Sequence, residues 1–250
     1  MHLHTARYSH CASMTPEEMA EAAIQSGLDG VVITEHDVLW PADEMAALQA
    51  KFPALRILRG MEVSTAQGHM LVYGIVDDGG FFKGMRVNEL TERVHQEGGI
   101  VVVAHPCRYS DDIPEEIYGA DIDGVEVMGT NVRAYMQDGI GGIQERLRIP
   151  GIAGTDAHTV EMVGVFATDF DDGVGTERDL AVAVKARAFT LYKDQRRNDA
   201  INAGVDGRIA HLKRVWEQEP HLSEKDIKAK YGFTYSFQYG VKNGKNMRLT

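Results

Sequence analysis

Seven of the ten histidines in this chain are His2, His4, His10, His36, His69, His105 and His158. Six of these sit beside short apolar runs, in Met1-His2-Leu3-His4, Glu35-His36, Gly68-His69, Ala104-His105-Pro106 and Thr155-Asp156-Ala157-His158. A sixth signature, Met61-Glu62, adds a carboxylate. Neutral imidazoles and carboxylates gathered from many strand ends are the donors of a site for several divalent cations, with Zn, Mn and Fe the ions that suit them. On extended backbone, residues i and i+2 share a face, so His2 and His4 reach one ion together, as do Asp156 and His158. His10 lies six residues beyond His4 and arrives from the following loop. A single such histidine would read as a hydrogen-bonded core or surface residue; the repetition at strand ends is what points to metal.

The elements that must position these groups alternate. Apolar runs at residues 28–34, 55–61, 70–76, 100–104, 124–127, 151–154 and 189–192 read as strands. Helical patterns fall at residues 41–50, 87–97, 132–147 and 177–186, and another starts at Thr15-Pro16-Glu17-Glu18, with its threonine cap, first-turn proline and Glu at the third position. This β-then-α order predicts a parallel sheet, doubly wound or closed into a barrel. No G-x-G-x-x-G or G-x-x-x-x-G-K-[ST] loop is present, which disfavours dinucleotide and P-loop enzymes. Thr34-Glu35-His36, Glu62, His105, Glu126, Asp156 and His158 fall at the carboxyl ends of successive strands. An α/β barrel converges loops from every strand at that end, whereas an open sheet gathers ligands mainly at its switch point. The barrel is therefore the expected fold.

Length and charge bound the rest. The 250 residues, 44% hydrophobic, suit one large α/β domain with a small appendage. No apolar run is long enough for a membrane span, and no signal segment precedes the first motif, so a cytoplasmic location is expected. The two cysteines, Cys11 and Cys107, agree with a reducing compartment. Both lie beside motif histidines and could approach each other or a metal, although small, partly buried thiols are the expected role. Residues 1–192 carry 14 Lys+Arg against 30 Asp+Glu, a net −16, and residues 193–250 carry 12 against 7, a net +5. An acidic body disfavours nonspecific binding to nucleic acid, while the basic tail is expected as a solvated face or an intramolecular partner of that body. Within the tail, residues 198–217 and 223–231 read as helices, and residues 237–242 and 245–249 flank Asn243-Gly244 as a hairpin.

This constellation resembles the polymerase and histidinol phosphatase (PHP) family of metal-dependent phosphoesterases over roughly residues 1–192. The resemblance implies a distorted (β/α)7 barrel over 1–192 with a small C-terminal α+β appendage over 193–250, and two to three divalent ions (Zn, Mn or Fe) held by nine residues. The family's H-x-H motif and the donor six residues on correspond to His2, His4 and His10. Its next histidine corresponds to His36 in ITEHD, its bridging Glu to Glu62 in GMEVS, and two further histidines to His69 in GHMLVYG and His105 in VVAHPCR. Its closing D-x-H corresponds to Asp156 and His158 in GTDAH. One ion would be held by His2, His4, Glu62 and Asp156, a second by Glu62, His69 and His105, and a third by His10, His36 and His158. Family members have a few apolar residues before H-x-H, so either a shortened first strand or a start set too late is expected here.

The activity so implied is hydrolysis of a small phosphomonoester, a nucleotide or amino-alcohol phosphate, by a metal-activated hydroxide, with Glu62 central. Arg108, three residues beyond His105, is the leading phosphate clamp because its fork matches phosphate oxygens; Arg7 and Arg133 are further substrate-binding candidates. Glu35 and Asp37 flank His36 and could orient ligand imidazoles. The alternative is a nuclease of the same fold that uses the basic tail on a nucleic-acid end. A regulatory module with a purely structural metal site is disfavoured, since such a site needs no three adjacent cations. The expected partner is thus a small phosphorylated substrate, with nucleic acid second, no membrane, and oligomeric state left open.

Overall fold

A computed structural model describes residues 1–77, 80–108, 112–171, 173–219, 221 and 226. Thr15 caps the first helix, α1 (Pro16–Gln25), and its side chain and that of Glu18 satisfy each other's backbone N–H as a capping box. The strands and helices that follow are β1 (Gly30–His36), α2 (Ala42–Lys51), β2 (Arg56–Thr65), β3 (Gly68–Tyr73), α3 (Val87–Gln96), β4 (Ile100–Val103), α4 (Glu115–Gly119), β5 (Gly124–Met128), α5 (Gln137–Leu147), β6 (Gly151–Ala153), β7 (Phe166–Phe170), α6 (Glu177–Ala186), β8 (Phe189–Lys193) and α7 (Gln195–Gln218).

Strands β1 to β6 form one sheet in sequence order, and β7 pairs with β8 in a separate antiparallel hairpin. The sheet is mixed rather than parallel as the alternation suggests, because β3 runs antiparallel to both β2 and β4. The reason lies in chain length. Thr65 pairs directly with Gly68, so two residues connect β2 to β3, and a parallel crossover needs a dozen or more. Gly68, at φ 128°, takes the backbone conformation this reversal requires. Three further differences concern boundaries. Strand β7 gives no clear sequence signal, because only Phe166 is buried and Thr168 and Asp169 interrupt its apolar residues. The short α4 is likewise absent from the sequence pattern. Helix α5 begins at Gln137, after a 3-10 turn at Ala134–Met136, rather than at residue 132.

The N-terminal residues bind both edges of the sheet. On one side Thr34 N donates to Leu3 O (2.9 Å) and Leu3 N donates to Thr34 Oγ1 (3.1 Å). On the other, His4 N donates to Ala157 O (2.9 Å) and Ala157 N to His2 O (3.3 Å), just beyond β6. A flat sheet could not present its first and last strands to one segment, so the sheet is curled.

One face of that curl is apolar at one end and ionisable at the other. Val32, Leu58, Leu71, Tyr73, Val102 and Ile152 pack against Leu180, Ala181 and Val184 of α6, which closes the apolar end. Moving along the same face by steps of two leads from Val32 to Thr34 and His36, from Leu58 to Glu62, from Leu71 back to His69, and from Val102 to Ala104, next to His105. The opposite face packs on α3 and α5 through Val72, Val101 and Val103 against Leu90, Val94, Ile140 and Ile143. Each such side chain contributes about 1.5–3 kcal/mol on full burial. That apolar floor makes the buried carboxylates above it costly unless they are paired.

Helix α7 continues from β8 and corresponds to the expected helix at 198–217. The expected helix at 223–231, apart from Asp226, and the expected hairpin at 237–249 lie outside the described residues. Among the described residues, no helix is long and apolar enough to cross a membrane.

Candidate metal centre

Glu62 stands at the middle of the ionisable end, and its two oxygens face different imidazoles. Oε1 lies 2.7 Å from His69 Nδ1 and 2.9 Å from His105 Nε2. Oε2 lies 3.0 Å from His36 Nδ1, 3.1 Å from His4 Nε2 and 3.3 Å from His2 Nε2. Register explains this convergence. His36 pairs alongside Glu62 across β1 and β2, while His69 is diagonal to it across β2 and β3. Asp156 completes the group, with Oδ1 3.3 Å from His2 Nε2 and 3.2 Å from His4 Nε2. His105 (φ 25°) and Asp156 (φ 52°) both adopt left-handed backbone just past their strands. Strain of this kind concentrates at functional sites.

Among the described residues, three sets of donor atoms lie within 4.8 Å of one another: His2, His4, Glu62 and Asp156; His36, Glu62 and His69; and His4, His36 and His158. The first coincides with one of the sets the family resemblance implied. The others regroup it: His36 joins Glu62 and His69, while His105 meets the same carboxylate through Oε1. His10 is exposed and enters none of the three, so the structure does not bring this expected ligand to the cluster. The turn is the cause. Ser9 N donates to Thr5 O and Ala12 N to Ser9 O, so Ser9 points inward and His10 out. Ser9 Oγ then lies 3.3 Å from His4 Nδ1 and accepts from His36 N at 3.2 Å. The residue after His10, Cys11, is likewise exposed and enters none of the three sets.

These residues fit divalent cations on their own geometry. The Nε2 atoms of His2 and His4 stand only 3.1 Å apart. His2 Nδ1 is 2.8 Å from Glu126 Oε1 and donates its proton there, which leaves a lone pair on Nε2. That lone pair faces two buried carboxylate oxygens, Glu62 Oε2 and Asp156 Oδ1, which no hydrogen bond of ordinary geometry reaches among the described residues. Lone pairs and anions converging in a buried space require a cation between them. Without one, protons substitute. Burial opposes charge on His2, yet Glu126, Asp156 and Glu62 hold its pKa well above the usual imidazole value. Burial likewise resists charge on His36, but hydrogen bonds with Cys11 and Glu62 raise it to about 10. His158 rises against burial because of Asp156 and Cys11. Glu62 and Asp156 are held well below the carboxylate range, against burial, by His2 and the imidazoles around them. His105 alone moves down, through burial and the nearby Arg108, despite Glu62.

The remaining candidates separate clearly. Arg108 is buried at the cluster and donates from Nη1 to Asp156 Oδ2 (3.2 Å). Arg7 is bound on the surface by Glu44 of α2 at 2.9 and 3.0 Å. Arg133 is taken by Asn202 and Asp206 of α7 at 2.6 and 2.7 Å. Glu35 accepts from Thr5 N, Thr5 Oγ1 and Trp40 Nε1, and Asp37 from Ser64 N and Oγ; both therefore fix loops rather than ligand imidazoles. Glu126 is legible in the sequence only as a polar strand-end residue. It orients His2 and also accepts from His105 N at 2.8 Å. Gly154 makes room for it, since a methyl there would collide with the Glu126 carboxylate and lie 2.7 Å from His2 Cβ.

The PHP-domain family model matches residues 1–131, and the PHP-associated model matches residues 142–189. The chain belongs to the PHP family. It is 29% identical over 129 residues to the uncharacterized protein MJ1587 of Methanocaldococcus jannaschii, covering 50% of this chain and 70% of that one. Two solved structures share the fold. One is a Bifidobacterium adolescentis protein assigned as a metal-dependent phosphoesterase (TM-score 0.53, 18% identity, 75% of this chain and 95% of that one). The other is the lesion-specific endonuclease PfuEndoQ of Pyrococcus furiosus (TM-score 0.54, 20% identity, 74% of this chain and 55% of that one).

Proposed function

We propose that this protein is a metal-dependent phosphoesterase that hydrolyses a small phosphomonoester, such as a nucleotide or an amino-alcohol phosphate. The observation that carries the reading is the convergence of His2 Nε2 and His4 Nε2 on two buried carboxylate oxygens that no hydrogen bond of ordinary geometry reaches among the described residues. Two to three Zn, Mn or Fe ions bound there would lower the pKa of water from about 15.7 to about 7 and neutralise phosphate charge. His2, His4, Glu62 and Asp156 are the deep ligands in this reading. His36, His69, His105 and His158 surround them, and Glu62 is shared between ions. The side chains of His36, His69 and His158 are 31%, 24% and 20% exposed, whereas those of His2, His4 and Glu62 are buried, so substrate approaches from the histidine side.

Arg108 is the phosphate anchor the reading retains. Its guanidinium already lies on Asp156, and a fork beside the ions matches phosphate oxygens. Water's oxygen replaces the ester oxygen on phosphorus, and the leaving alcohol takes up a proton. The further reading is that the N-terminal segment, bonded to both edges of the curled sheet, completes a seven-membered (β/α) ring over 1–192, with 193–250 as an appendage. With neither Cys11 nor Cys107 in a disulfide, a reducing cytoplasm is the proposed location.

A nuclease is the second reading, favoured by the +5 charge of residues 193–250 and by the fold shared with an endonuclease. The acidic body argues for the small substrate. A screen of phosphomonoesters, dinucleotides and short oligonucleotides with Mn or Zn tests both. Turnover of monoesters alone supports the first reading, preference for oligonucleotides the second, and no hydrolysis of any class with any ion overturns both.

A further inference from the structure

Asp156 divides its two oxygens between two kinds of partner. Oδ1 faces the deep imidazoles, 3.3 Å from His2 Nε2 and 3.2 Å from His4 Nε2, and no hydrogen bond of ordinary geometry reaches it among the described residues. Oδ2 accepts from Asn131 Nδ2 at 2.6 Å and from Arg108 Nη1 at 3.2 Å. An aspartate carboxyl turns broadly about its last torsion, so by itself it offers a cation either oxygen or both. Donors on Oδ2 remove that freedom and leave Oδ1 as the coordinating atom.

The loop that follows β5 braces Asp156 at two levels. Thr130 N and Oγ1 both donate to Thr155 O, at 3.1 and 2.7 Å, which fixes the residue before Asp156. Asn131, next in that loop, reaches the Asp156 side chain itself. The braced residue is in left-handed backbone (φ 52°), a conformation that persists only where its surroundings impose it. The two donors on Oδ2 differ in kind. The Arg108 guanidinium is charged, so it repels a cation on Oδ1, and a phosphate competes for its fork. The Asn131 amide is neutral, lies closer, and leaves the full carboxylate charge to the ion. We propose that Asn131 is a positioning residue that keeps Asp156 a one-oxygen ligand of the deep ion, and so lets Arg108 pass from Asp156 to the substrate phosphate without loosening that ligand. Arg108 then exchanges partners in each turnover, while Asn131 stays in place.

The inference rests on the proposed metal centre with Arg108 as its phosphate anchor, and zinc and phosphate binding test the parts separately. Chelator-stripped full-length protein is titrated with Zn against a chromophoric chelator, and its metal-free melting temperature is recorded. Binding of inorganic phosphate to the zinc-loaded protein is followed by calorimetry. Asn131→Leu, which keeps the approximate volume and removes the donor, should weaken one ion by about 10–100-fold and leave the others unchanged. Asn131→Gln, which keeps an amide, should recover most of that loss. Arg108→Met should weaken phosphate by about tenfold or more. It should hold zinc at least as tightly as the wild type, because a cationic neighbour is gone. Unaltered zinc affinity in Asn131→Leu, or a loss of zinc affinity in Arg108→Met instead, would overturn the role of Asn131. So would equal losses in Asn131→Leu and Asn131→Gln with a lower metal-free melting temperature, which would trace to folding of the loop. Phosphate binding that survives Arg108→Met would overturn the exchange of Arg108. Absence of any zinc uptake by the wild type would overturn the metal-centre reading with it.

Discussion

Glu126 Oε1 lies 2.8 Å from His2 Nδ1, and the other oxygen of the same carboxylate accepts from His105 N at 2.8 Å. One buried acid on β5 thus fixes the tautomer of one candidate ligand, from the N-terminal segment, and the backbone of another, after β4. Glu126→Gln keeps the shape but gives His2 an amide that can present its N–H instead. Metal affinity should fall about 10–100-fold with little change in fold, as for other partners of ligating histidines. Competition with a chromophoric chelator measures it, and unaltered affinity would show that His2 is oriented by its backbone alone.

Glu62 is the group on which five imidazoles converge, and its removal should be far more damaging. Wild-type protein purified without chelators should carry two to three transition-metal ions by elemental analysis. Glu62→Ala should lose hydrolysis and most of that metal. His95→Ala is the matched control. His95 Nε2 is 2.7 Å from Asp123 on the far side of α3, outside every donor set, so its loss costs about 1 kcal/mol of stability and neither metal nor activity. Equal losses in both variants would trace the effect to folding.

Most of this centre is readable from the chain alone. His36, His69, His105, Asp156 and His158 lie at or just beyond strand ends, Glu62 lies within β2, and His2 and His4 flank an isolated bridge at Leu3; period-two spacing states which of them share a face. Three things are not readable. Whether Ser9 or His10 faces inward depends on which corner of one tight turn each occupies, and adjacent residues in a turn carry no periodicity. Glu126 has the same sequence context as any polar strand end; only the approach of β5 to His2, across Gly154, gives it a task. The direction of β3 is implicit in the eight residues between the apolar runs at 55–61 and 70–76, too few for a crossover, but β/α alternation elsewhere in the chain outweighs that local signal.

Protonation sets a pH dependence of definite sign. In the metal-free protein Glu62 and Asp156 have depressed pKa values, so their contribution to stability is present above the unfolded carboxylate range of about 4 and is lost as pH falls. His36 is raised to about 10, so its contribution is complete below about 6.5 and is lost as pH rises toward 10. Cations displace those protons, and binding must therefore strengthen with pH. The increase in melting temperature caused by saturating Zn or Mn should be larger at pH 8 than at pH 6. A larger increase at pH 6 would mean that the ion binds away from these imidazoles.

The basic tail is where the two substrate readings part. Lys225, Lys228 and Lys230 lie outside the described residues, but their charge can be reversed in the full chain. If the substrate is a small phosphomonoester, Lys225→Glu, Lys228→Glu and Lys230→Glu together should leave its turnover within about twofold, because a diffusing monoester would then be steered by Arg108 and the ions rather than by these lysines. If the substrate is a nucleic-acid strand, those lysines neutralise backbone phosphates. Their reversal should then weaken binding and reduce the slope of log K against log salt by about 0.7 for each single-strand phosphate no longer neutralised. The body, with its net −16 over residues 1–192, repels a polyanion everywhere except near the ions. Unchanged monoester turnover and negligible strand binding in both proteins are therefore expected. Cleavage of a long single strand at physiological salt, abolished by the triple reversal, would assign the enzyme to nucleic acid instead.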